Sequence, residues 1–221
     1  MTQVTSTKSQ AKKSGGAPKK DRRQQLVAST IESIAKNGLS GTTMTTIARE
    51  AGLSIGLAYF YFPTKQDLLE QTLRFLAEEH RHCWNTSYEK ADLAPEAKLW
   101  AIVSAHFHPV ICTPTKISVW YGFFGETRAR NSYRTLIADI DTERIGRSAS
   151  LCRKIIDEGG YDDIDPDSVA MTLEGLYDGF WLNILMYPSI FTRTDAMTRI
   201  REYLSGRFPR HFKSPPCALE G

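Results

Sequence analysis

Between Thr42 and Leu69 the chain reads TTMTTIAREAGLSIGLAYFYFPTKQDLL, and few folds accommodate that stretch. Thr43 is placed to cap a short helix, its side-chain oxygen taking one of the backbone N–H groups that the first turn leaves unpaired. The helix it opens carries Ile47, Ala48 and Ala51 on one side, and the small alanines let a second helix approach closely. Gly52 ends it, because a sharp turn needs a residue that tolerates positive φ. Leu53 follows as an apolar plug, and Ser54 caps a second short helix beginning at Ile55. Pro63 stops that helix, and Thr64 caps the next with Asp67 as the acidic partner of a capping box. Two short helices, a tight glycine turn and an apolar plug in the turn form a helix-turn-helix pattern.

Helical periodicity continues through the rest of the chain. Val27, Ile31, Ile34 and Ala35 make an apolar stripe before a stop at Asn37-Gly38, and Leu68, Leu69, Leu73 and Leu76 make another in a helix running past Trp84. Further helices are predicted over 95–107, 115–127, 131–158, 167–187 and 194–208, separated by Pro, Gly or Asp punctuation. There is no alternating strand pattern, so the expected fold is all-α, with about nine helices. With 41% hydrophobic residues in 221, the chain can fill a real core. A helix-turn-helix unit over 21–69 is followed by a larger helical body over 70–212 and a flexible tail over 213–221. Residues 1–20 hold Lys8, Lys12, Lys13, Lys19 and Lys20 with no acid, and Arg22 and Arg23 follow. Such a segment has no apolar surface to bury; it is expected to be disordered, either a solvated tail or a basic arm along phosphates.

Several classes fall away. No apolar run approaches the roughly 20 residues that cross a bilayer, and the amino terminus lacks a signal peptide's apolar segment. Cys83, Cys112, Cys152 and Cys217 are scattered, as in the reduced thiols of a cytoplasmic protein. His80/His82 and His106/His108 stand two residues apart, which on a helix points each pair to different sides, so no metal site is expected. Neither a phosphate-binding glycine loop nor a nucleophile elbow occurs, which argues against an enzyme, and no cofactor is implied. An architectural DNA-binding protein without a ligand is a further alternative.

In the second short helix Phe62 and Ala58 are expected to face the core, leaving Tyr59 and Tyr61 exposed beside Lys65. Tyrosine hydroxyls and a lysine on one flank suit phosphate oxygens, while the helix start lies over base edges. Thr43, Ile47-Ala48, Ala51-Gly52-Leu53-Ser54, Gly56, Tyr59, Tyr61-Phe62 and Lys65 together resemble the amino-terminal domain of the TetR family of bacterial repressors. Ala58 departs from the larger aliphatic residue usual in that family. The resemblance implies that Thr43 and Thr45 touch the DNA backbone, that Ser54, Gly56 and Leu57 lie over the major groove, and that Tyr59, Tyr61 and Lys65 hold phosphates. Ile55 and Leu57 offer only apolar contact, for instance to thymine methyls. Base readout is therefore sparse, and DNA shape together with Lys19, Lys20, Arg22 and Arg23 is expected to contribute.

The segment "LYDGFWLNILMY" (Leu176 to Tyr187) is apolar almost all round, with Asp178 as its only charge, which predicts one face in the core and another against a second subunit. Met197, Ile200, Leu204 and Phe208 give the last helix a one-sided stripe. In the TetR family such helices pair in a homodimer, whose two-fold symmetry matches a pseudo-palindromic operator. Trp100, Trp120, Tyr121, Phe124, Tyr177 and Trp181 are many aromatics for one body. They are either ordinary core or, with Asp178, an aromatic box for a quaternary ammonium. Val119–Leu136 and Leu173–Leu185 resemble the carboxy-terminal domain of the family's BetI-type branch, whose members answer to choline. That resemblance implies a ligand-responsive repressor of glycine-betaine synthesis or uptake, with choline or a related amine as effector. The alternative is a TetR-family regulator of an efflux or catabolic operon with an unrelated aromatic or hydrophobic ligand.

Overall fold

Residues 19–89, 93–126 and 130–213 are described by the structure, a computed structural model. Among these, every regular element is helical: α1 (Lys19–Gly41), α2 (Met44–Glu50), α3 (Ile55–Tyr61), α4 (Lys65–Tyr88), α5 (Pro95–His106), α6 (Pro114–Gly125), α7 (Arg130–Gly159), α8 (Pro166–Met186) and α9 (Arg193–Arg207). The expected basic arm, apart from the first residues of α1, and nearly all of the carboxy-terminal tail lie outside the described residues.

Short-range chemistry sets most boundaries. α1 breaks at Gly38, whose backbone leaves the helical region at φ 70° and ψ 170°. Thr43 accepts from the Thr46 N–H while the Thr46 side chain returns to the Thr43 N–H, a closed capping box at the start of α2. Gly52 turns the chain at φ 62°, and Ser54 accepts from the Leu57 N–H to start α3. Thr64 and Asp67 close the capping box that opens α4. Thr192 and Asp195 close another capping box at α9, and Thr113 and Asp165 cap α6 and α8 by accepting from the Lys116 and Asp167 N–H groups.

The first three helices and the start of α4 share a small core of Leu26, Ile34, Ile47, Ala48, Ala58, Phe62, Leu68 and Leu69. Two long side chains of α1 tie it to the turn unit. Gln25 donates to the Ala51 carbonyl at the end of α2, and Arg23 donates to the Tyr61 carbonyl at the end of α3. Beyond this head, α4 runs into the body and packs on α5 and α7, while α7 packs on α8. α6 crosses between the two parts. It lies along α1, where a Cβ on Gly122 would stand 3.5 Å from Ile34 Cγ2. Lys116 of α6 pairs with Glu79 of α4 and also donates to the Val110 carbonyl.

α8 buries Val169, Leu173, Tyr177, Trp181 and Ile184 on one side. Its opposite side leaves Met171, Leu182 and Met186 exposed, continued by Tyr187 and Ile190. Leu182, Met186, Tyr187 and Ile190 together form an exposed apolar face at the end of α8.

Candidate functional site

In the head, α3 presents a sharply divided surface. Ala58 and Phe62 are buried, as the sequence predicts. Tyr59 is 47% exposed, but Tyr61 is only half-buried surface, packed against the core, and Phe60 is the most exposed aromatic at 66%. Helical phase explains the exchange: Ala58 and Tyr61 stand three residues apart and share the inward face, which turns Phe60 out. Thr43, Thr45, Ser54 and Gly56 are exposed, and Leu57 is half-buried. Three of the expected DNA-contacting cations have internal partners. Lys65 Nζ donates to the Leu39 carbonyl at 3.0 Å, and the Arg23 guanidinium lies 4.2 Å over the Phe62 ring while donating to Tyr61. Arg22 donates to Gln25 on its own helix. Lys19 and Lys20 form the first two positions of α1.

In the body, a cavity of about 170 Å³ opens between α6, α7 and α8, with His80 of α4 and His106 at the end of α5 also lining it. Trp120 and Phe124 of α6 and Tyr177, Asp178 and Trp181 of α8 line it, five of the seven residues singled out in the sequence. The other two stand apart. Trp100 faces α9, with the Arg201 guanidinium 4.0 Å over its ring. Tyr121 donates its hydroxyl to the Asp178 carbonyl at 2.6 Å and so braces α8 from behind. Helical phase accounts for the place of Tyr121, which is one residue round from Trp120 on the next face of α6.

The remaining lining residues come from α4, α5, α7 and the first half of α8. His80 and His106, one from each histidine pair, meet edge-to-face with ring centroids 4.3 Å apart, while His82 and His108 are exposed. His106 stacks on Tyr177 at 3.6 Å, and its carbonyl accepts the Trp181 indole N–H at 2.9 Å. Burial, reinforced by Arg144, lowers the His80 pKa to about 3. Burial, the neighbouring His80 and Arg144 also hold His106 well below the ordinary range. Both imidazoles are therefore neutral at pH 7. His80 Nε2 and the Tyr177 hydroxyl are buried with no hydrogen-bond partner among the described residues. Each such group costs about 1–3 kcal/mol, which a bound donor or acceptor would recover.

Among the described residues, Arg144 is the only arginine or lysine lining the cavity. Burial opposes its charge, but Glu174 and Asp141 outweigh it and raise its pKa. Glu174 takes Nε at 3.2 Å and Nη2 at 2.6 Å, and Asp141 takes Nη1 at 2.9 Å. Asp178 also lines the cavity, and burial followed by the nearby Glu174 raises its pKa. Three carboxylates thus face a single guanidinium. A cavity with that excess of negative charge and walls of indole and phenol favours a cation.

Comparison with known proteins places these features in a family. Residues 26–72 match the family described as bacterial regulatory proteins, tetR family, and residues 95–209 match the family described as BetI-type transcriptional repressor, C-terminal. The HTH-type transcriptional regulator BetI of Agrobacterium fabrum is 31% identical over 199 residues, 88% of this chain and 90% of that one. Its counterpart in Burkholderia thailandensis is 28% identical over 183 residues, 83% and 91% of the two chains. Among solved structures, a putative transcriptional regulator from Saccharomonospora viridis in complex with choline has the same fold, with a TM-score of 0.74 at 20% identity over 85% of this chain and 97% of that chain.

Proposed function

This chain belongs to the TetR family of bacterial transcriptional regulators, of the BetI type, and we propose that it is a repressor released from its operator by a small quaternary amine, choline first among them. The cavity chemistry carries the reading: Trp120, Tyr177 and Trp181 supply π faces, and Asp141, Glu174 and Asp178 outnumber Arg144. A quaternary ammonium donates no hydrogen bond, so it is held by ring faces and charge, which is what these walls offer. Choline's hydroxyl is of the class that pairs with the unpartnered His80 Nε2 or Tyr177 hydroxyl. An engineered cavity of about 150 Å³ holds benzene, so about 170 Å³ suits a ligand of that order of size.

Binding to a pseudo-palindromic operator requires two heads. The exposed Leu182 and Met186 of α8 supply an apolar face for a second copy of the chain. Thr43, Thr45 and Tyr59 lie exposed on the head and make the backbone contacts that set register, while Ser54 lies over the major groove. Release follows if the ligand favours a head spacing that mismatches the operator; a ligand bound equally by both conformations releases nothing. The shared position of α6, against the cavity on one side and α1 on another, is the route by which the two are coupled.

A wider cleft of about 680 Å³, continuous with the cavity at Phe124, Ile137 and Asp178, favours the second reading, a larger aromatic or hydrophobic effector. Titration of choline into the protein–operator complex decides between them. Release at up to millimolar choline supports the first reading. Stable complex with no choline bound removes the amine and leaves the repressor.

A further inference from the structure

The outward face of α3 has a composition that the fold does not explain. Ala58 is fully buried and Tyr61 and Leu57 are turned inward, so Ile55, Gly56, Tyr59 and Phe60 share the opposite side. Ile55 is 45% exposed, Tyr59 47% and Phe60 66%. Phe60 is steadied edge-on against Tyr61, with centroids 5.2 Å apart at 82°. Apart from the Tyr59 hydroxyl, this face carries no hydrogen-bonding side chain. Ser54, at its start, already spends its oxygen on the Leu57 N–H at 3.2 Å.

Gly56 adds a second observation. A Cβ there would meet nothing within 4 Å inside the protein, and its φ lies outside the positive region. Neither packing nor backbone conformation calls for a glycine, and helix formation disfavours one. What the missing side chain does permit is close approach of the helix backbone to something outside the chain.

In the major groove each base edge offers donors or acceptors, and thymine alone adds an apolar group, the C5-methyl. Arginine, lysine, asparagine and glutamine, which read the polar edges, are absent from residues 55–61. We propose that this chain reads its operator chiefly through thymine methyl groups, with Ile55 and Phe60 as the reading side chains on either side of a close approach at Gly56. The inference rests on the operator-binding reading above and specifies its sequence chemistry. It also replaces Leu57, which is half-buried, with Phe60 as the second apolar contact.

The test starts from a duplex enriched out of a random pool by the full-length chain, then resynthesised with deoxyuridine replacing thymine one position at a time. That change removes the methyl and keeps base pairing. Burial of one methyl corresponds to about fourfold in affinity, so each read position should lose about fourfold, and a symmetric pair of replacements about fifteenfold. The slope of affinity against salt should not change, because no phosphate contact is lost. Ile55→Ala and Phe60→Ala change exposed side chains and leave the core intact; each should weaken the thymine duplex and abolish the preference for thymine over uracil at one position. Equal binding of every uracil duplex, or an unchanged thymine preference in both variants, overturns the inference while operator binding stands. Failure to enrich any duplex removes the operator-binding reading and this inference with it.

Discussion

Replacing Trp120 with leucine should cost the cavity its hold on a cation while sparing much of its hold on a neutral ligand of the same shape. Trp120 is 6% exposed, with its ring 6.5 Å from Trp181 and 5.6 Å from Phe124. It is a better site for this test than Trp181, whose indole N–H holds the His106 carbonyl. Losing that bond would orphan a buried carbonyl and cost about 1–3 kcal/mol of stability, confusing folding with binding. A desolvated cation over an indole is worth about 2 kcal/mol, or roughly thirtyfold in Kd. Leucine keeps apolar contact, so the carbon isostere of choline, with a quaternary carbon in place of nitrogen, should lose only a few-fold. Calorimetric titration of both ligands into both proteins gives a four-way cycle whose coupling term is the ring–charge interaction alone. Thermal melts must accompany it, since a large-to-small change in a core of this kind costs about 2–4 kcal/mol. If choline and its isostere lose the same factor, or if the isostere binds the unaltered protein as tightly as choline, the cation-recognition argument is refuted.

Acid should destabilise the body through His80. Its folded pKa of about 3 lies below the unfolded value near 6.5, so its stabilising contribution is complete above about pH 6.5 and is lost as pH falls toward 3. At pH 5 the loss is about 2 kcal/mol, with His106 adding in the same direction. Urea midpoints at pH 7 and pH 5 should diverge, and His80→Leu should narrow the gap; a flat profile in the unaltered protein contradicts the burial argument. Lys65→Ala should weaken binding to all duplexes about equally and reduce the salt slope by about one, an outcome checked by titrations at several salt concentrations. An unchanged slope would mean that Lys65 serves only the Leu39 carbonyl. Deleting residues 1–18 should leave the melting temperature unaltered and lower DNA affinity, most at low salt; equal affinity would make the arm a solvated extension.

What could be read in the sequence was what short-range chemistry determines. Thr43, Ser54 and Thr64 announce helix starts because a cap bonds within its own turn, and Gly52 announces the turn because positive φ is its own property. Tyr177 and Trp181 fall on one wall because they stand one turn apart on a single helix. Long-range partners carry no such signal. Asp141 lies one turn from Arg144, but Glu174, which completes the pair, comes from another helix. His80 and His106 belong to different helices whose packing brings together one member of each pair. Trp100 looked equal to Trp120 in composition, and only the direction of α5 turns it to Arg201 instead. Arg23 stands in the sequence as a candidate DNA contact and Gln25 carries no signal at all, yet both donate to carbonyls at the ends of helices far along the chain.

The place of Gly122 opposite Ile34 bears on how freely the parts of this protein can be exchanged. α1 belongs to the head by sequence, but one flank of it is seated on α6 of the body, where a Cβ added at Gly122 would already reach ordinary van der Waals contact with Ile34. A head cut out at Leu69 would therefore expose apolar surface that the intact chain covers, and it would be less stable alone than its own small core suggests. A hybrid that grafts this head onto a related body would need a small residue opposite Ile34. A side chain larger than alanine there would act as a wedge, tilting the head against its body and altering operator spacing without touching either DNA or ligand. Modularity in this chain is a property of its two surfaces, and α1 is a shared joint between them.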